Sequence, residues 1–269
     1  MIRIRNESDF ASLFKKNYKK GQMMIWVILA ISIVVIIMLF FFLRGRIIRP
    51  GLEERIELDP STFIDNCVKE SVEEAIDIIL PQGGFIAPKH TKMYNNINVS
   101  YLCYNAGNYL PCINEHPMFL NEIKDEIEDY ISPKINRCFE DYKTEIEKRN
   151  ADVKLGIMKL EVKLAPNRAF VDIEKDVSIR FKDQNYNYNE FNIGIISPVY
   201  NLARLAVEIA SQEAKYCYFE YVGYMILYPK FKINRNSFSD STEIYTLKDK
   251  KSGKEMNIAI RSCAIPPGF

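Results

Sequence analysis

Six cysteines are the side chains of this chain with the most evident covalent chemistry: Cys67, Cys103, Cys112, Cys138, Cys217 and Cys263. None stands in a C-x-x-C pair, the spacing that zinc and redox sites use, so disulfide formation is the chemistry they suggest. Six thiols allow many pairings. The one expected here joins Cys103 to Cys112 across a short hairpin, Cys67 to Cys138 between two helices, and Cys217 to Cys263. Buried free thiols remain the competing reading, because cysteine is among the most buried residue types even when unpaired. The two histidines, His90 and His116, stand beside prolines and lack visible partners for a zinc site or a catalytic triad. No G-x-S-x-G, P-loop or G-x-G-x-x-G pattern occurs. No catalytic residue, metal site or cofactor is therefore expected, and a non-enzymatic role is. Asn98-Val99-Ser100 matches the N-glycosylation pattern, which makes Asn98 a modification candidate. Tyr186, Tyr188, Tyr216, Tyr218, Tyr221, Tyr224 and Tyr228 are suited either to a contact surface for a protein or sugar or to core and sheet packing.

Charge narrows the partners. With 36 Lys+Arg against 35 Asp+Glu, net charge is +1, and the charges are interspersed. No basic patch interleaved with aromatics is visible, so nucleic acid is not an expected partner.

The elements that carry these residues read as α+β. A helix is expected after Pro60, capped by Asp59 or Ser61, with Phe63, Ile64, Cys67, Val68, Val72, Ala75, Ile76, Ile79 and Leu80 on its apolar face. Pro81 and Gly83-Gly84 stop it. Strands near 97–104 and 109–113 should flank the Asn105–Asn108 turn. A helical stretch runs from Pro117 to about Lys148, with Pro133 expected to break it. From 157 the period becomes two: Met158, Leu160, Val162 and Leu164, then Ala169, Val171 and Ile173 after a turn at Pro166-Asn167, then Val177, Ile179 and Phe181. This is the pattern of an antiparallel meander. Asn185–Asn189 reads as a loop or hairpin tip. Ser197-Pro198 opens another helix, with Leu202, Leu205, Ala206, Ile209 and Ala210 inward. Glu243–Leu247 and Met256–Ile260 read as a hairpin. The stretch 216–231 is aromatic-rich and fits no single pattern.

Met23–Leu43 is a different kind of segment: MMIWVILAISIVVIIMLFFFL, with Ser32 its single polar side chain. As a helix it would rise about 32 Å, against a hydrocarbon thickness of roughly 30 Å. A transmembrane helix at 22–44 is expected, followed by a charged linker at 45–60 and an outer domain at 61–269, helical over 61–150 and sheet-containing over 151–269. Arg3, Arg5, Lys15, Lys16, Lys19 and Lys20 precede the run; Arg44, Arg46, Arg49 and Arg55 follow it. By the positive-inside rule this places residues 1–21 in the cytoplasm and the C-terminal domain outside. An even number of cysteines, all after the apolar run, suits an oxidising compartment.

Lys19-Lys20-Gly21-Gln22, directly before the run, resembles the leader junction of archaeal type IV pilins and related proteins with class III signal peptides. The resemblance implies a basic leader cut by a prepilin-type peptidase between Gly21 and Gln22, with the helix kept in the mature protein. The chain departs from many pilins at the fifth mature position, where Trp26 replaces the Glu that pairs subunits in a filament. Cys67-Val68, Gln82-Gly83-Gly84-Phe85-Ile86 and Ala259-Ile260-Arg261-Ser262-Cys263 resemble a group of single-pass anchored proteins of small-genome archaea, a likeness that implies no activity. The expected function is thus an anchored cell-surface protein for adhesion or assembly, in the manner of a pilin or minor pilin. A tethered enzyme or ligand-binding receptor, with a site assembled from distant residues, is the alternative. A cytoplasm-facing accessory subunit is the third reading.

Overall fold

The computed structural model describes residues 21–46 and 58–265, with side chains in the first stretch described for 27–40. The expected leader up to residue 20 and the expected linker over 47–57 lie outside the described residues. The chain divides into two units, Met1–Leu58 and Asp59–Phe269.

In the first unit, helix α1 spans Gly21–Arg46, 26 residues, with Gly21 and Gln22 as its first two positions. Its described side chains are all exposed, among them Ile28, Val34, Ile36 and Met38. Counted over the described residues, no helix is long and apolar enough to cross a membrane.

The second unit is α+β, with two sheets dominated by antiparallel pairs. Helix α2 spans Ser61–Ile79, and the Asp59 carboxylate accepts the Ser61 N–H at 2.9 Å. It buries Ile64, Val68, Val72, Ala75, Ile76 and Ile79. Gly83 and Gly84 both have positive φ, 81° and 98°, and Gly84 N–H donates to Ile79 O at 2.8 Å, closing the helix as expected. Helix α3 spans Phe119–Glu147 without interruption and packs along α2. The expected break at Pro133 does not occur. Pro133 and Asp129, whose carbonyl loses its partner, lie on the exposed side, while Ile127, Ile131, Ile135 and Cys138 are buried across the site. The freed carbonyl is on the solvent side, where its loss costs least, and the buried apolar face carries the helix through.

Strands β1 (Thr91–Tyr94), β2 (Ile97–Tyr104) and β3 (Ile113–Asn114) precede α3. The expected strand at 109–113 is reduced to the two residues of β3, because Tyr109, Leu110 and Pro111 form a loop whose Leu110 O accepts the Cys263 N–H at 2.8 Å. After α3 come β4 (Asp152–Leu155), β5 (Lys159–Ala165), β6 (Arg168–Phe181) and β7 (Gln184–Ile196). β4 and β5 pair successively along one edge of β6, and β7 pairs along the other. The meander is as expected, with Val162, Val171, Ile173, Val177, Ile179 and Ile193 buried on one face. Asn185–Asn189 is not its tip. These residues are paired strand, with Tyr188 opposite Val177 and Tyr186 opposite Ile179, and the turn is Lys182-Asp183 with Lys182 at φ 55°. An Asn-rich strand reads as a loop when its polar side chains face water, yet its backbone is free to complete the ladder.

Helix α4 (Val199–Tyr216) buries Leu202, Leu205, Ala206, Ile209 and Ala210, and the short α5 (Tyr221–Leu227) follows. Strands β8 (Phe231–Ser237), β9 (Glu243–Asp249) and β10 (Glu255–Arg261) close the chain, β9 and β10 as the expected hairpin. The larger sheet runs β1-β2-β10-β9-β8. Its β2–β10 pair is parallel, so strands from the part read as helical join the last strand of the chain.

Candidate functional site

The structure brings the expected cysteine pairs together as disulfides. Cys67–Cys138, Cys103–Cys112 and Cys217–Cys263 have Cα–Cα distances of 6.5, 5.3 and 5.6 Å. The first ties α2 to α3, the second straddles the loop between β2 and β3, and the third pins the end of α4 to the residues after β10. Among the described residues no cysteine is free.

The third disulfide opens onto the most aromatic part of the molecule. Helix α4 ends where Cys217 takes a left-handed conformation, φ 57°, and donates its N–H to Glu213 O at 3.0 Å. The chain then turns so that Phe219 is buried, with its ring 5.4 Å from Tyr224 and 6.3 Å from Tyr245. Glu220 starts α5: its carboxylate accepts the Gly223 N–H at 3.2 Å and the Tyr218 hydroxyl at 2.6 Å, and these bonds hold its pKa below the usual carboxylate range. The Tyr224 and Tyr228 rings lie 4.5 Å apart, tilted by 36°. The Arg235 guanidinium on β8 lies over Tyr221 at 5.4 Å and Tyr218 at 5.9 Å, within cation–π range. Between α4 and α5 a cleft of about 470 Å³ is lined by Tyr200, Arg204, Glu208, Tyr224, Tyr228 and Lys230, among others.

Beneath this corner two carboxyls, one of them buried, share a single phenol. Glu213 is 2% exposed, and the Tyr245 hydroxyl, fully buried, sits 2.5 Å from Glu213 Oε1 and 3.0 Å from Glu243 Oε2. One phenolic hydrogen cannot serve two carboxylates. Burial pushes the Glu213 carboxyl pKa up, and the same desolvation pushes the Tyr245 phenol up. Protonating Glu213 would relieve the arrangement, since the carboxyl could then donate to Tyr245 and leave the phenol to donate to the Glu243 carboxylate, 3.4 Å from Arg235. A carboxyl whose folded pKa is raised stabilises the fold fully below its unfolded pKa, and that contribution is lost as pH rises through the folded value. Glu213→Gln, whose amide donates to Tyr245 at every pH, is expected to be more stable than the native chain at pH 7 by on the order of 1 kcal/mol. Urea unfolding at pH 4.5 and pH 7.5 should show the gap between the two proteins growing with pH; a gap independent of pH would refute the protonated carboxyl.

Sequence reasoning grouped seven tyrosines. Five of them, Tyr216, Tyr218, Tyr221, Tyr224 and Tyr228, belong to this corner, while Tyr186 and Tyr188 sit on β7 in the other sheet. Glu213, Tyr245 and Arg235 were not singled out. The signal for Glu213 is its place one turn beyond Ile209 and Ala210 on the buried face of α4, where a charge is out of pattern.

The other candidates lie apart. His90 Nδ1 is 3.0 Å from Glu115 and His116 Nδ1 is 2.5 Å from Glu122, each ring packed on aromatics. Among the described residues no group of three His, Cys, Asp or Glu could hold a metal ion. Asn98 is exposed on β2, but Ser100 of its triplet is 2% exposed. Lys175 shares the inward column of Ile173 and Val177 at the β6 bulge and is 4% exposed. Its ammonium donates to Asn136 Oδ1 at 2.9 Å over the Phe139 ring, and burial lowers its pKa. Comparison with protein-family models, with curated proteins and with solved structures finds no match.

Proposed function

We propose that this is a single-pass, membrane-anchored cell-surface protein whose 59–269 unit works outside the cell in adhesion or assembly, as a pilin-like or minor pilin-like component. The observation that carries the reading is the set of three disulfides confined to one unit that follows an apolar run. Disulfides of this density persist in oxidising compartments. The run Met23–Leu43, with Ser32 its single polar side chain, falls within a helix of 26 residues, about 39 Å long against roughly 30 Å of hydrocarbon. A prepilin-type peptidase is the processing partner that Gly21-Gln22 suits, and the bilayer is the other. The exposed tyrosines of the α5 corner supply a contact surface that needs no chemistry. A ligand-binding receptor is favoured as the second reading by one observation, the α4–α5 cleft with its adjacent Tyr224 and Tyr228 beside Arg204 and Lys230.

The test is the N-terminus and intact mass of the protein from native membranes, alkylated with and without reduction. A start at Gln22 with six blocked thiols is expected. A start at Met1 with six free thiols would sink both the pilin-type processing and the outward orientation.

A further inference from the structure

Between Glu220 and Lys230 the chain reads YVGYMILYP, with no charged side chain. It folds as α5 and the turn that leaves it, and no residue of this helix is buried. Ile226 and Leu227 are 76% and 75% exposed, and Val222 is half-exposed. Their i, i+4, i+5 spacing gathers them on one face. The opposite face is fixed to the fold: Tyr224 packs on Phe219 and Phe231, and Met225 Sδ accepts the Ile233 N–H at 3.1 Å. Three apolar side chains are thus held outward on a firm base.

Their surroundings are specific. Tyr218, which shares Arg235 with Tyr221, and Tyr228, beside Tyr224, stand exposed next to the tip. Lys230 is exposed beside Tyr228, and the Lys250 ammonium donates to Pro229 O at 2.7 Å, adding a second positive charge at the margin. The acidic Glu220 is engaged in capping α5. An apolar tip flanked by tyrosines and lysines has the composition of a segment at a membrane interface. The aromatics suit the headgroup level and the lysines suit anionic headgroups. Under the anchor reading the bilayer is also always near.

We propose that the α5 corner is a lipid-docking surface. Val222, Ile226 and Leu227 enter the headgroup–acyl boundary of the membrane that carries the anchor, while Lys230 and Lys250 bind anionic headgroups. The proposal rests on the anchor reading, and one experiment separates the two. Trp26 is the single tryptophan of the chain and lies in the apolar run. The full chain is reconstituted in phosphatidylcholine–phosphatidylglycerol bilayers whose acyl chains are brominated near the headgroup. Quenching of Trp26 in the native protein reads the anchor. In W26F/L227W the sole indole reads the tip, and W26F/I157W, at an exposed position between β4 and β5, is the control. The expected result is a roughly twofold quenching at L227W, none at I157W, and a fall of L227W to the control level when K230E and K250E are added. L227W no more quenched than I157W would overturn the proposal. So would a blue-shifted L227W emission that ignores bromine and follows protein concentration, because a second copy would then cover the tip. Unquenched Trp26 would overturn the anchor reading alone: L227W quenching would still support docking, and its absence would still overturn it.

Discussion

The double variant C67S/C138S is expected to lose about 4 kcal/mol of unfolding free energy in urea, a large share of the roughly 5–15 kcal/mol that holds a folded domain. The two residues are 71 apart in sequence, so the bond removes a long loop from the unfolded ensemble. The native state changes little, because α2 and α3 are held together in any case by Ile64, Val68, Val72, Ile127, Ile131 and Ile135, all buried without exposure. The loss should therefore come with a steeper dependence on urea, as the unfolded chain expands. C103S/C112S provides the internal comparison. Its residues are 9 apart, for which loop entropy gives about 2.7 kcal/mol. Equal losses from the two variants would show that loop closure is not the source of the stabilisation.

Gly84→Ala is expected to cost about 3 to 4 kcal/mol, from two causes that add. At φ 98° the backbone is in a region that an L side chain rarely adopts. A Cβ there would also stand 2.8 Å from two ring carbons of Phe119 and 3.1 Å from Ile123 Cγ1. Phe119 and Ile123 are buried, so neither can swing away. Gly253→Ala isolates the first cause: φ is 76° and nothing lies within 4 Å, so about 1 kcal/mol is expected. Urea midpoints for the two variants decide the matter, and equal losses would mean that the Phe119 contact is soft.

Where packing follows one local period, the elements were legible. The apolar faces of α2 and α4, the alternation through β5 and β6 and the β9–β10 hairpin each repeat a pattern within a dozen residues, and that pattern is the burial itself. The disulfides belong here too, since Cys67 and Cys138 each extend an apolar helix face and Cys103 and Cys112 flank a turn. Pro133 and Asn185–Asn189 misled for the same reason in reverse. Local preference argued for a break and a loop, but the faces concerned are solvent-exposed, and the neighbouring packing and ladder decided otherwise.

By itself the sequence determined a 21-residue run with one polar side chain, an α+β class, and six cysteines placed to pair. These depend on composition and short spacing alone. Only the tertiary structure decided the rest. The parallel β2–β10 pair joins residues more than 150 apart, and no local pattern encodes such a partner. The α5 corner arises because the Cys217–Cys263 bond, the buried Phe219 and the Arg235 guanidinium converge from α4, β8 and the end of the chain. Whether YVGYMILYP is core or surface is invisible in its composition. It is the packing of Tyr224 inward, against rings supplied from elsewhere, that leaves Val222, Ile226 and Leu227 facing out.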